Sequence, residues 1–201
     1  MQQFLVATEI IDWKHPQVLN QAQALALGAI SLEEIAKRCF EWVRDEIRHS
    51  RDYSLQTVTC TASEVLQAGS GYCYAKSHLL AALLRANGLP AALCYQRLSR
   101  DDNGPPFCLH GLNAVFLPSL GWYRMDARGN RDGINAQFEP PIERLAFPIV
   151  LPGEADVPGF MSEPLPEFLQ ALRNNKTASA LWENLPDINL YPNQMTMTLG
   201  E

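Results

Sequence analysis

Cys73 follows the run Gly69-Ser70-Gly71-Tyr72 and opens an Ala/Leu-rich segment that continues to Asn87-Gly88. Glycine just past such a segment is the expected C-terminal cap, so the pattern predicts a helix whose first turn holds Cys73. A thiol in that position is suited to nucleophilic chemistry. The unpaired N–H groups and the dipole at a helix N-terminus favour the thiolate, which is the reactive form. Gly69 and Gly71 permit a sharp turn and a close backbone approach, and the N–H of residue 73 itself can face a developing oxyanion. The competing reading is a small buried apolar cysteine, the common state of a free thiol.

A thiol nucleophile needs a base, and the chain offers His15, His49, His78 and His110. His78 lies five positions beyond Cys73 on the same predicted helix, about 140° around it, so the two side chains diverge and His78 packs or meets solvent. His15 precedes a proline at a helix entry. His49 ends a helix in a charged run, where a cation complements the dipole, and both are expected at the surface. His110 sits inside the apolar run Cys108 to Leu117, where an unpartnered imidazole is costly, so a polar group should face it.

Asp126 is that group. Trp122, Arg124 and Asp126 share one face of the strand Gly121 to Ala127, Cys108, His110 and Leu112 share one on the preceding strand, and a hairpin through Pro118 to Gly121 can set Asp126 beside His110. An acid there fixes the imidazole tautomer and stabilises imidazolium, completing a nucleophile, base and orienter set of Cys73, His110 and Asp126. The alternative for Asp126 is a strand-end carboxylate, since Ala127 to Asn130 resembles a loop. Arg124, on the same face, is a competing partner for it. Cys108 is a rival nucleophile that lacks a helix N-terminus and is expected at most to line the cleft, while Cys39, Cys60 and Cys94 belong to the core.

The elements that must position these groups are legible as well. A strand is expected at FLVATEI near the N-terminus, then a helix from Pro16 to Leu27. Ser31 with Glu34 starts a second helix through Arg48, and Thr61 with Glu64 starts a short one that stops at Gly69. After Pro90 the pattern turns to strands: AALCYQRL, CLHGLNAVFL and GWYRMDA. Seven of the fourteen prolines fall in the last 54 residues, around helical pieces EFLQALR and ALWENL. Residues 1–150 are therefore taken as the domain and 151–201 as a Pro-rich arm packed on it.

Composition narrows the function. With 16 Lys+Arg against 22 Asp+Glu the net charge is -6, and no basic stripe exists to neutralise phosphates, which argues against nucleic acid as a partner. The longest uninterrupted apolar run in the Cys73 segment, Leu79 to Leu84, is far short of the ~20 residues that span a bilayer, so no membrane is expected. The N-terminal MQQFLVATEIIDWKHP lacks a basic stretch and an unbroken apolar core, so no export signal is read and a cytoplasmic setting is favoured. Five cysteines, odd in number and never spaced C-x-x-C, suit neither a disulfide framework nor a zinc ribbon. Neither a metal nor a cofactor is inferred.

The order Cys73, His110, Asp126 resembles the transglutaminase-like superfamily. The stretch Ala62 to Cys73, running on through His78 to Ala91, is similar to that family's cysteine segment nearly throughout. Phe40 to Arg48 resembles the helix before it, and Gly121-Trp122 followed by Asp126 resembles its aspartate strand. The likeness covers about residues 31–130 and implies an α+β, papain-like core. It implies further that Cys73 is nucleophile, His110 general base then acid, and Asp126 orienter, in an enzyme that hydrolyses or transfers acyl groups of a peptide or other amide. Alternatives within the same fold are a catalytically silent peptide-binding module and a protein cross-linking transglutaminase. Where many relatives carry a bulky aromatic and an acid after the histidine, this chain has Gly111-Leu112-Asn113-Ala114, which suggests more room near the base. The spacing needed for calcium and the family's zinc-binding cysteine pairs are both missing.

Overall fold

Local signals set the helices. The computed structural model describes residues 1–188. Helix α1 spans Pro16–Ala26, with proline in its first turn where the missing N–H costs nothing. Helix α2, Leu32–Glu46, is capped by Ser31, whose Oγ accepts from the Glu34 N–H, while the Glu34 carboxylate reaches back to the Ile30 N–H. Strand β1 is the pair Arg48–His49. In α3, Ala62–Ala68, the capping box is complete: Thr61 accepts from the Glu64 N–H, and Glu64 accepts from the Thr61 N–H. Gly69 ends it at φ 62°, a left-handed conformation that favours glycine. Strand β2, Ser70–Gly71, pairs in parallel with β1 and sets His49 opposite Gly71.

Helix α4, Cys73–Ala86, is buried from Cys73 through Arg85. A helix that is apolar on nearly every side must be enclosed, and α1, α2 and α3 pack on it together with strands β3, Ala91–Ser99, and β4, Phe107–Leu117. Strands β5, Gly121–Met125, β6, Gln137–Glu139, β7, Ile142–Arg144, and β8, Ala155–Asp156, follow. The main sheet is antiparallel with order β5-β4-β3-β8, and β6 and β7 form a separate hairpin. The architecture is α+β.

Beyond residue 150 the chain returns to this core. Met161 and Leu93 exchange backbone hydrogen bonds of 2.8 and 3.0 Å. Phe168 of α5, Pro166–Asn174, is fully buried between Tyr95 and Tyr74, at 4.3 and 4.4 Å between ring centroids. Helix α6, Ala178–Glu183, is tied by the Tyr72 hydroxyl to the Ala178 carbonyl at 3.0 Å and by the Ala178 N–H to the Gln56 carbonyl at 2.9 Å. Residues 189–201 of the expected arm lie outside the described residues. Among the described residues no helix is long and apolar enough to cross a membrane.

The expected N-terminal strand does not form. Gln2–Phe4 is a short 3-10 turn, and Thr8 and Ile11 bond each other locally, Thr8 N–H to Ile11 carbonyl and Ile11 N–H to Thr8 Oγ1. The apolar residues there are buried one at a time, Phe4 edge-on to Trp122 and Ile10 and Ile11 in the helical core. Burial of single anchors needs no ladder, so an apolar run does not imply a strand.

Candidate active site

Cys73 is the first residue of α4, so its N–H has no acceptor within the helix. The approach to it is tight. A Cβ on Gly71 would sit 3.0 Å from Thr59 Oγ1 and 3.2 Å from the Ala75 Cβ, so glycine lets β2 turn directly into the helix. His110 stands on β4 opposite Gln96, and Asp126 lies one residue past the end of β5. The β4-β5 register, Asn113 opposite Met125, carries Asp126 to the His110 ring, where Nε2 and Oδ2 are 2.7 Å apart. That pairing leaves Nδ1 for the thiol.

Asp126 is completely buried and accepts two further hydrogen bonds from the backbone. Oδ1 accepts from the Arg128 N–H and Oδ2 from the Ala146 N–H, both at 3.1 Å. Burial pushes this carboxyl up, but the His110 charge and these three hydrogen bonds hold it below the usual carboxylate range. Phe147 meets the imidazole edge-on at 5.0 Å and fixes its plane. His110 itself is pushed down by burial and, more strongly, up by Asp126 and Cys73. The Cys73 thiol is raised by burial and lowered past its ordinary value by His110 and His49, both close enough to act through charge and hydrogen bonding. Both shifts run toward a thiolate paired with an imidazolium.

No other thiol is lowered in this way. Burial pushes Cys39 and Cys94 up to about 12, and Cys60 also up. Cys108 is pushed up to about 12 by burial and then by the Cys73 charge. It lines the same cleft, a space of about 530 Å³ that also holds Cys73, His49 and His110.

A family model for the transglutaminase-like superfamily matches residues 20–127. The chain belongs to the transglutaminase-like superfamily. Among solved structures, it is similar to a putative cysteine protease from Cytophaga hutchinsonii. The match has 16% identity and a TM-score of 0.51, and covers 62% of this chain and 40% of that one. This chain therefore matches less than half the length of that protein, and the likeness concerns the fold. No curated protein sequence matches.

In this transglutaminase-like site three expectations are corrected. His49 is not a surface residue: it is 6% exposed and lines the cleft at Cys73, because the β1-β2 pairing folds it back onto the segment entering α4. Its Nδ1 lies 3.7 Å from Asp52, whose carboxylate is gripped by Arg128 at 2.5 and 2.9 Å. Nothing local in the sequence marks it, since the contact depends on pairing residues 22 positions apart. Arg124 does not compete for Asp126; it pairs with Glu143 at 2.8 Å and Asp156 at 2.7 Å. Gly111 opens no space beside the base, because a Cβ there would meet the Tyr74 Cα and Cδ1 at 3.1 Å. Its hydrogen side chain is what lets α4 lie against β4.

His78 is fully buried, bonded through Nδ1 to the Cys60 carbonyl at 2.7 Å, and takes no part in the site. His15 is exposed at the start of α1. Among the described residues no group of three or more His, Cys, Asp or Glu is placed to hold a metal ion.

Proposed function

We propose that this transglutaminase-like protein is a thiol-dependent amide hydrolase acting on a peptide or related amide through an acyl-enzyme at Cys73. The observation that carries this reading is the continuous chain from the helix-start thiol to His110 and on to the buried Asp126 at 2.7 Å. The Cys73 thiolate attacks the carbonyl carbon, forming a C–S bond while negative charge moves to the oxygen, which faces the unpaired Cys73 N–H. As the C–N bond breaks, His110 delivers its proton to the departing amine. Water then gives a proton back to His110 as its oxygen attacks the thioester, and the acid leaves with Cys73 restored. Asp126 keeps the imidazole oriented and bears the imidazolium charge throughout.

Hydrolysis is favoured over cross-linking because amine transfer must outcompete water at roughly 55 M, which requires a dry acceptor channel. The Cys73 site lies in a cleft. Five unpaired thiols suit a reducing compartment, in keeping with a cytoplasmic setting.

The test is a pH-dependent alkylation map. Cys73 should react with iodoacetamide near pH 6, well below the ordinary cysteine value of about 8.5, while Cys39 stays unlabelled. Equal labelling of the two would remove the basis for catalysis. Once a substrate is found, adding a primary amine at millimolar concentration and measuring acid against amide product decides between hydrolysis and transfer. Predominant amide product would make the protein a transferase.

A further inference from the structure

The charge around Cys73 differs from that of the molecule. The chain carries a net -6, yet Arg51, Arg100, Arg128 and Arg131 all line the cleft. Two of them are spent internally: Arg128 grips Asp52, and Arg131 lies 3.6 Å from the same carboxylate. The other two converge on Trp182 of α6. The Arg51 guanidinium lies 3.0 Å from the Trp182 ring centroid, and its side chain makes no hydrogen bond or ion pair among the described residues. Arg100 lies 5.5 Å from the same ring, with the half-exposed Asp101 as its ion-pair partner at 3.5 Å.

Apart from Asp101 beside Arg100, the acids nearby make no ion pair with either arginine among the described residues. Glu154 accepts from the N–H groups of Ser99, Val150 and Leu151, and Asp187 is held by Arg97 at 2.6 and 2.7 Å. Asp102 and Asp132 are exposed at the rim. Arg51, Arg100 and Cys108 line the same cleft as Cys73, so both cations and the nucleophile open onto one space. A guanidinium supported on an aromatic face keeps its in-plane N–H donors for a planar anion.

We propose that the cleft selects an acyl donor with a carboxylate beside the scissile amide, received by Arg51 and Arg100 against Trp182. The inference rests on the Cys73 reading above and adds a substrate class to it. One carboxylate matches the open fork of Arg51 with Arg100 beside the same ring, whereas a polyanion needs a run of cations that this surface lacks. The carboxylate can be an Asp or Glu side chain or a free C-terminus.

Iodoacetate and iodoacetamide differ only in this group, and either alkylates a thiolate with loss of iodide. The iodoacetate to iodoacetamide rate ratio at Cys73 should exceed that of free cysteine in the same buffer by about tenfold and shrink with added salt. The doubly substituted Arg51→Gln, Arg100→Gln protein should return to the free-cysteine ratio, and the Arg51→Lys, Arg100→Lys protein should keep part of the excess. A wild-type ratio equal to free cysteine would overturn the proposal while leaving the thiolate reading intact. Failure of Cys73 to react early with either reagent would instead overturn that reading.

Wild-type turnover of matched peptides then identifies the source. Glu against Gln at the residues flanking the cleaved bond tests the side chain, and C-terminal acid against amide tests the terminus. Preference for either acid supports the proposal, and equal kcat/KM across both pairs overturns it.

Discussion

His110 and His49 reach the same sulfur from different parts of the chain, one from β4 and one from β1, and their partners differ. His110 has a fully buried carboxylate at 2.7 Å that makes no ion pair with any arginine among the described residues. His49 has Asp52 at 3.7 Å, and that carboxylate is already committed to Arg128, leaving the buried Nδ1 of His49 without a hydrogen-bond partner. An imidazole whose distal nitrogen faces an available anion is held in one tautomer and orientation, which on the proposed mechanism suits His110 to carry the proton. On the same mechanism His49, which lines the cleft and acts on Cys73, is a positioning residue that favours the thiolate. Arg128 connects the two arms, its side chain on Asp52 and its N–H on Asp126.

This contrast orders the expected effects. Replacement of His110 by Gln should be the most damaging, lowering kcat/KM by about 10³ because both proton transfers lose their carrier. A smaller loss would mean that another group, with His49 the nearest, can serve as base. Asp126→Asn should follow at about 10²–10³, since a neutral amide can still contact the ring but cannot stabilise imidazolium. The same variant should alter acid stability in a defined direction. A carboxyl whose folded pKa is lowered stabilises the protein above its unfolded value near 4 and loses that contribution as pH falls through the folded value. Asp126→Asn should therefore flatten the acid limb of the stability curve, as measured by urea midpoints between pH 3 and 7.

His49→Gln should cost about tenfold in kcat/KM and is better read from its pH profile. With Cys73 lowered and His110 raised, activity should rise as the thiolate forms and fall as the imidazolium titrates above its ordinary value. Removing His49 withdraws one stabiliser of the thiolate, so the acid limb should move to higher pH while the alkaline limb stays. Movement of the alkaline limb instead would assign proton transfer to His49. The smallest effect is expected from Tyr72→Phe, which loses the bond to the Ala178 carbonyl and costs about 1 kcal/mol of stability with little change in turnover. A large loss of activity would show that holding α6 over the cleft matters to the chemistry.

Much of this was written locally. Ser31 and Thr61 announce their helices because a hydroxyl three residues before a glutamate satisfies N–H groups that the helix leaves open, and the caps appear as expected. The glycine run before Cys73 and the alternation around His110 and Asp126 pointed to three residues that the structure places in one region, since short-range geometry decides what a helix start and a hairpin can present. The sequence by itself therefore determined the α+β class and the superfamily. The tertiary structure alone decided the rest. His49 became a cleft residue through a two-residue parallel pairing, Gly111 became a contact point for Tyr74 instead of open space, and Arg124 found Glu143 and Asp156 on strands that no local pattern brings near it. Trp182 reached Arg51 and Arg100 only because Tyr72 and Gln56 hold α6 across the cleft. Each of these depends on which distant surfaces bury against each other, and that choice minimises exposed apolar area over the whole chain, a quantity no sequence window contains.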